Sequence, residues 1–316
     1  MESVISKKKI KQIIDRAEVP NLIGCMEKAF TEYSSGNAVV PPVGTLTFDS
    51  PPGDVHIKYG YIKGDPVYVI KIASGFYENP ALGISSSNGL NLVFSQNTGQ
   101  IKAILMDEGY LTDIRTGLAG AVAAKYMAPA EVDAIGIIGS GIQARMQLRF
   151  LKEILDCRRV LVWGRSKESL SAYRKEMSQY GFEIETTLNA AEVARECSLI
   201  VTVTPSITPL LYAGDLREDV HITAVGADTT GKQELETDIL KQAKLLVADS
   251  AEQSREHGEM HKAMQAGELK EKSVIELGEM ISSKQQWVRK PGISVADLTG
   301  IATQDIQISK FVIERL

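Results

Sequence analysis

The run Ala134-Ile135-Gly136-Ile137-Ile138-Gly139-Ser140-Gly141-Ile142-Gln143-Ala144 carries the spacing G-x-G-x-x-A. That spacing lets a backbone approach a pyrophosphate. Gly139 allows a buried strand to turn sharply, Gly141 clears a side chain from the path of the phosphates, and Ala144 lets the next helix pack close to the strand. The helix start then offers unpaired N–H groups and the positive end of its dipole. Glycine-rich turns also occur as plain tight turns. Here an apolar strand precedes the run, and helix Arg145–Asp156 and a second apolar strand, Arg159–Trp163, follow it, which favours a nucleotide site. An acid at the end of that second strand would bind a ribose 2′-hydroxyl. The chain instead reads Trp163-Gly164-Arg165-Ser166-Lys167, with no acid until Glu168. Arg165, Ser166 and Lys167 suit a 2′-phosphate, so NADP(H) is the preferred cofactor and NAD(H) the alternative. The competing reading is that these are ordinary loop charges.

Other residues stand out by placement. Lys71 interrupts the apolar run Val69–Ala73, and alternation puts it on the face of Val69 and Ala73, away from Ile70 and Ile72. Lysines on strands usually face solvent at an edge; burial would lower the pKa of this one towards neutrality. Arg115 lies near the start of an alanine-rich helix, where a surface arginine would pair with Asp113 or Glu108. Asp228 directly follows a strand, and loops at the carboxyl ends of parallel strands line ligand crevices. An Asp there could equally cap a helix starting near Glu234. By alternation His56 and Lys58 share one strand face, while Ile57, Tyr59 and Tyr61 share the other. A solvated polar face and one end of a substrate pocket are both open readings of that pair.

Two frameworks must position these residues. Ser6–Ser34 has apolar residues at helical spacing, with a break near Pro20. Val39–Phe48 is extended. The strand-like Asp54–Lys63 and Val67–Ala73 and the hairpin pair Asn88–Ser95 and Ile101–Asp107 predict an antiparallel sheet over 39–107. Thr112–Ala128 predicts a helix ended by Pro129. Strand-like runs at Ala134–Ile138, Glu183–Thr186, Leu199–Val203, His221–Val225, Leu245–Ala248 and Ile293–Leu298 then alternate with helical stretches, the rhythm of a doubly wound parallel sheet. The last helix, Ala302–Leu316, has no strand after it and is expected to return to the first domain. The fold class is α/β: a Rossmann dinucleotide-binding domain (129–300) plus a discontinuous α+β substrate-binding and dimerisation domain (1–128 and 301–316).

Bulk properties narrow the partners. The 316 residues are 44% hydrophobic and carry a net charge of −5 with both signs mixed, and the one basic block is Lys7–Lys9, so no nucleic-acid partner is expected. Cys25, Cys157 and Cys197 make neither a metal pattern nor a disulfide set, and read as buried thiols in a reducing cytoplasm. His221, His257 and His261 make no metal cluster and read as surface residues. No signal peptide and no apolar run of membrane-spanning length is found, so a cytoplasmic protein with no membrane partner is expected.

Four segments, VIKIAS (Val69–Ser74), LTDIRTGLAGAVAAKYMA (Leu111–Ala128), GIIGSGIQA (Gly136–Ala144) and VGADTTGKQEL (Val225–Leu235), together resemble the ornithine cyclodeaminase/mu-crystallin family. The resemblance runs from about the first strand to the last helix. It implies that Lys71 holds a substrate carboxylate or handles a proton near an imine. Arg115 would grip the carboxylate with its planar fork and touch the cofactor. Asp228 would exchange protons with the substrate nitrogen or an attacking water. Lys232 matches a family lysine near the same site, with function and surface charge standing level. Ile142, Gln143, Thr204, Val225, Gly226 and Thr299 are implied cofactor contacts. An arginine that many members carry after the first proline segment is missing from Val39–Thr45. The carboxylate pocket would therefore lean on Lys71, Arg115 and Lys58, which speaks against ornithine as substrate. The implied activity is reduction of a ketimine, or oxidation of a small L-amino acid at Cα, with NAD(P). A cyclodeaminase-type ammonia-lyase using bound NAD+ catalytically and a non-catalytic NADPH-binding protein are the alternatives. The family also assembles through its first domain, and the apolar strands of 39–107 predict a homodimer.

Overall fold

The computed structural model describes residues 4–76, 78–269, 274–283 and 289–316. The chain divides into two compact units, 1–115 with 301–316, and 116–300. In the first run β1 (Val4–Ser6), α1 (Lys7–Asp15), α2 (Val19–Ser34), β2 (Ala38–Val39), β3 (Gly44–Asp49), β4 (Pro52–Ile62), β5 (Val67–Phe76), β6 (Ser87–Ser95) and β7 (Ile101–Met106). They form a seven-stranded sheet in the order β1-β7-β6-β5-β4-β2, with β3 also beside β4. From β2 to β7 every pairing is antiparallel. β1 has no counterpart in the sequence pattern, since its three residues are too few to carry a period; it adds in parallel to β7, with Ile5 opposite Leu105.

The two faces of this sheet differ. Val67, Val69 and Lys71 of β5 are buried, while Tyr68, Ile70 and Ile72 are only half-buried. β5 lies between β4 and β6, so Lys71 is on the covered face of an interior strand, not at an edge.

α3 (Tyr110–Met127) follows, and the division between units falls inside it, at Arg115, rather than at Pro129. Tertiary packing is the reason. Gly117 lies against Phe150 and Met146, Gly120 against Gln147, and Gln147 Nε2 donates to the Thr116 carbonyl at 3.0 Å.

The second unit runs β8 (Ile135–Ile138), α4 (Ile142–Leu151), β9 (Arg159–Trp163), α5 (Lys167–Met177), β10 (Glu183–Thr187), α6 (Ala190–Glu196), β11 (Leu199–Thr202) and β12 (Val220–Ala224). It continues with α7 (Thr237–Gln242), β13 (Leu245–Ala248), α8 (Met260–Gln265), β14 (Val274–Glu276), α9 (Leu277–Ser282) and β15 (Ile293–Asp297). Its eight strands are all parallel, ordered β10-β9-β8-β11-β12-β15-β13-β14. Strands buried on both faces explain the unbroken apolar runs in the sequence. The strand order reverses between β8 and β11, the place where doubly wound sheets bind ligands.

Three local expectations are corrected. His221 is fully buried on β12, its ring nitrogens 3.0 Å from Ser294 Oγ and Thr223 Oγ1, and burial pushes its pKa down to about 3. Cys25 and Cys157 are half-buried, and of the three thiols only Cys197 is fully enclosed. The helix expected near Glu234 starts three residues on, at Thr237, with Glu236 as its N-cap.

The chain ends in α10 (Ala302–Ile313), which packs on α2, β4 and β5 of the first unit. It is buried continuously from Ala302 to Ser309 although Thr303, Gln304, Asp305, Gln307 and Ser309 are polar. A helix with no solvent face and so many polar groups calls for internal partners.

Candidate active site

In the second unit the glycine turn has the form its spacing predicts. Gly139 has φ +126°, a region that excludes other residues in practice, and its N–H bonds the Trp163 carbonyl at 3.0 Å. A Cβ placed on Gly141 would meet nothing within 4 Å, so the space beside this backbone is open. Gly141 is the N-cap of α4 and makes no side-chain cap hydrogen bond. An open backbone at the start of a ten-residue helix fits a diphosphate. The cleft here has a volume of ≈ 620 Å³, and Gly139, Gly141, Arg165, Ser166 and Thr204 line it. Arg165 is exposed, whereas Ser166 also caps α5, its Oγ accepting from Ser169 N at 3.2 Å. The remaining predicted cofactor residues are not in its lining. Ile142 opens α4 with its side chain exposed, and Gln143 follows it on the same helix. Ala144 is buried, and its carbonyl accepts from the Tyr173 hydroxyl at 3.0 Å. Val225 is buried.

Buried carboxylates that no sequence pattern singles out hold the loops after the strands. Glu234 accepts from Thr204 N at 2.6 Å and Gly226 N at 2.9 Å, and a Cβ on Gly226 would collide with it. Glu259 accepts in turn from Glu234 N at 2.8 Å and Leu235 N at 2.9 Å. Asp249 accepts from Thr299 N at 3.1 Å and Gly300 N at 2.6 Å, which accounts for the burial of Thr299. Burial, only partly offset by these N–H groups, pushes Glu234 up to about 7.

Asp228 lies in the loop after β12, its side chain half exposed, and accepts from Lys232 Nζ at 2.6 Å. The N-cap of α7 is Glu236, so Asp228 does not cap that helix. The two residues that the sequence places near one another are thus an ion pair.

In the first unit Lys71, Arg115 and Lys58 come together. Lys58 stands directly opposite Lys71 across β4 and β5, and Asn91 opposite it across β5 and β6. Lys71 is 3% exposed and Arg115 7%. Their shared partner is Asp305 of α10, 2% exposed, whose Oδ1 accepts from Lys71 Nζ at 2.9 Å and Arg115 Nε at 3.2 Å. The neighbouring Gln304 Oε1 accepts from Arg115 Nη1 at 2.9 Å. Arg115 therefore pairs with neither Asp113 nor Glu108. Asp107, also buried, accepts from Leu111 N at 2.8 Å and holds the start of α3.

The charges in this cluster shift one another. Burial and then the Arg115 charge push Lys71 down to about 7, against the opposing pull of Asp305. Burial alone would raise Asp305, but Lys71, Arg115 and Lys58 outweigh it and hold the carboxyl below its ordinary value. Burial pushes Asp107 up to about 6. Two buried cations thus share one oxygen of Asp305, and Asp107 is engaged by the α3 backbone. Asp305 Oδ2 and Gln304 Nε2 are buried with no hydrogen-bond partner among the described residues. Lys71 and Arg115 each have more donors than these bonds use. The one sequence signal for Asp305 is that a buried lysine needs a counter-ion, and 40 acidic residues leave that choice open.

Comparison with known proteins agrees with this architecture. The sequence model of the ornithine cyclodeaminase/mu-crystallin family matches residues 4–316. An uncharacterised cyclodeaminase of Sinorhizobium fredii is 37% identical over 297 residues, 93% of this chain and 90% of the relative. The structure of an archaeal alanine dehydrogenase dimer with bound NAD superposes with a TM-score of 0.89 at 30% identity, covering 98% of this chain and 94% of that one. The Thermococcus litoralis Δ1-pyrroline-2-carboxylate reductase, in complex with NADH and L-proline, superposes with a TM-score of 0.90 at 26% identity, covering 99% and 97%. Matched along its length in sequence and fold, the chain belongs to the ornithine cyclodeaminase/mu-crystallin family.

Proposed function

We propose that the protein is an NAD(P)-dependent oxidoreductase that reduces an imino acid, or oxidises a small L-amino acid, at Cα. The observation that carries the substrate class is the convergence of buried Lys71 and Arg115 on one carboxylate oxygen, which leaves donors of both cations for a substrate carboxylate. A bound nicotinamide supplies or accepts the hydride. The chain's own residues do the rest. Lys71, Arg115 and Lys58 hold the carboxylate, and the planar Arg115 fork fixes its orientation. Asp228 exchanges a proton with the substrate nitrogen, and Lys232 is its 2.6 Å partner. Gly139, Gly141 and the start of α4 receive the diphosphate. Arg165 and Ser166, with no acid at the end of β9, favour NADP(H) over NAD(H).

A redox-neutral cyclodeamination is the second reading, favoured by the 37% identity to the Sinorhizobium cyclodeaminase. A panel of keto acids with ammonium or methylamine, cyclic imines and ornithine, run with both nicotinamides, separates the two. Net consumption of NADPH supports the first reading, ammonia release from ornithine without net consumption the second. Absence of either with cofactor bound would leave a binding protein.

We also infer a homodimer built on the open face of the first unit's sheet. Ile57, Ile70, Ile72, Leu90, Leu92 and Ile104 lie on that face in register and are only half-buried. The archaeal alanine dehydrogenase is a dimer. Light scattering should give twice the chain mass at micromolar concentration, and Ile72→Lys should shift it to monomer. A wild-type monomer overturns the inference. The three unpaired cysteines suit a reducing cytoplasm, and among the described residues no helix is long and apolar enough to cross a membrane.

A further inference from the structure

We propose that Asp305 is a positioning residue, which fixes the Lys71 ammonium and aims the Arg115 guanidinium for a substrate carboxylate. The inference rests on the reaction proposed above. One oxygen of Asp305 accepts from both cations, which come from strands and helices far apart in sequence, 234 residues for Lys71 and 190 for Arg115. Adjacent residues of α10 then divide the Arg115 fork. Asp305 takes Nε and Gln304 takes Nη1, so two of the three guanidinium nitrogens are held and Nη2 lies outside that grip. Lys71 uses one of its three donors on Asp305. α10 thereby sets the direction in which both cations point.

A counter-ion with no such role would only neutralise charge. The surroundings of Lys71 argue for more. Arg115 of α3 and Lys58 of β4 favour loss of its proton, while Asp305 of α10 favours its retention. Asp107, beyond β7, adds a second acid to the same field, and Asn91 of β6 faces Lys71 in register without charge. Removing the charge of Asp305 should therefore leave Lys71 neutral at a pH where the wild-type lysine still carries charge. A neutral amine holds a carboxylate poorly, so the substrate grip should weaken with the proton.

The test is Asp305→Asn, with Asp305→Glu beside it. Asparagine keeps the shape and an acceptor oxygen, and glutamate restores the charge on a longer arm. In protein labelled with 13C at lysine Cε, Lys71 should titrate near neutrality, apart from ordinary lysines near 10.4, and Lys71→Met identifies the signal by its loss. In Asp305→Asn its midpoint should fall by about one pH unit or more, and Asp305→Glu should bring it back. With turnover, kcat/KM should fall about fivefold more at pH 8 than at pH 6, chiefly through KM, since a midpoint lowered by about one pH unit from about 7 cuts the charged fraction about ninefold at pH 8 and about twofold at pH 6. An unchanged midpoint in Asp305→Asn, or a rate loss equal at both pH values, overturns the proposal. If the wild type turns over none of the panel, the reaction reading fails while the lysine titration still judges Asp305. If Asp305→Asn does not fold, a glutamate variant with a wild-type midpoint and wild-type KM supports the role, and one that folds with the midpoint lost overturns it.

Discussion

Buried carboxylates in the two units do opposite work. In the second unit Glu234 and Glu259 are satisfied by backbone N–H groups of the loops that follow the strands. Dipoles offset burial only in part, so Glu234 is pushed up to about 7. In the first unit one oxygen of Asp305 accepts from the side-chain cations Lys71 and Arg115, which hold the carboxyl below its ordinary value. The difference is one of completeness. The carboxylates of the second unit close their hydrogen bonds within the protein and set the shape of loops. The carboxylate of the first leaves donors of Lys71 and Arg115 unused, and those have a use when a further acceptor arrives.

The largest expected effects would break this contrast if they came out the other way. Lys71→Ala removes a charge-assisted grip worth about 1.5–3 kcal/mol and a proton-holding group worth about 10²-fold. Activity should fall about 10³–10⁴-fold on those two counts, while cofactor affinity holds. Glu234→Ala should act on the other unit. It strands the N–H groups of Thr204 and Gly226, each costing about 1–3 kcal/mol when buried and unmet, so thermal stability and nucleotide affinity should drop together. Melting curves beside fluorescence titration of the nucleotide check both. Weakened nucleotide binding in Lys71→Ala with a normal Glu234→Ala would show that the roles are assigned to the wrong units.

The two regions also differ in how far they can be read from sequence. The glycine turn is legible because its physics is local: Gly139 must adopt φ +126° and Gly141 must leave space, whatever lies elsewhere. The face of Lys71 is legible by alternation within β5. Asp305 is not, because its pairing spans 234 residues and no local pattern marks the partner. Glu234 reads in sequence as the neighbourhood of a helix start; its carboxylate is committed instead to two loops that only the sheet brings together. The sequence puts the boundary between units at Pro129 rather than inside α3 for a similar reason, since the contacts of Gly117 and Gly120 are tertiary.

A smaller effect is expected at Asp228, which belongs to neither kind of buried site. Asp228→Asn should slow turnover about 10²-fold or more, the contribution of a placed acid/base group. Its pairing with Lys232 is half exposed, and such pairs are worth about 0–1 kcal/mol, so the melting temperature should scarcely move. Steady-state rates beside a melting curve decide it. Near-normal turnover would remove Asp228 from the mechanism and leave proton handling to Lys71.

The smallest effect sharpens the reading of the nucleotide cleft. Ser166 and Arg165 both line it, but they are not equivalent probes. Ser166 caps α5, so Ser166→Ala would lose a helix cap, about 0.5–2 kcal/mol of stability, along with any contact to the cofactor. Arg165 is exposed and caps nothing, so Arg165→Ala isolates recognition from folding. If Arg165 meets a 2′-phosphate, NADPH binding should weaken by about 1–3 kcal/mol, the scale of a hydrogen bond to a charged group. NADH, which lacks that phosphate, should bind almost as before. Fluorescence titration with both nucleotides measures the ratio directly. Equal losses for both would place Arg165 near the shared part of the nucleotide, and a wild-type enzyme that already prefers NADH would show that the missing acid at the end of β9 is not what selects the cofactor.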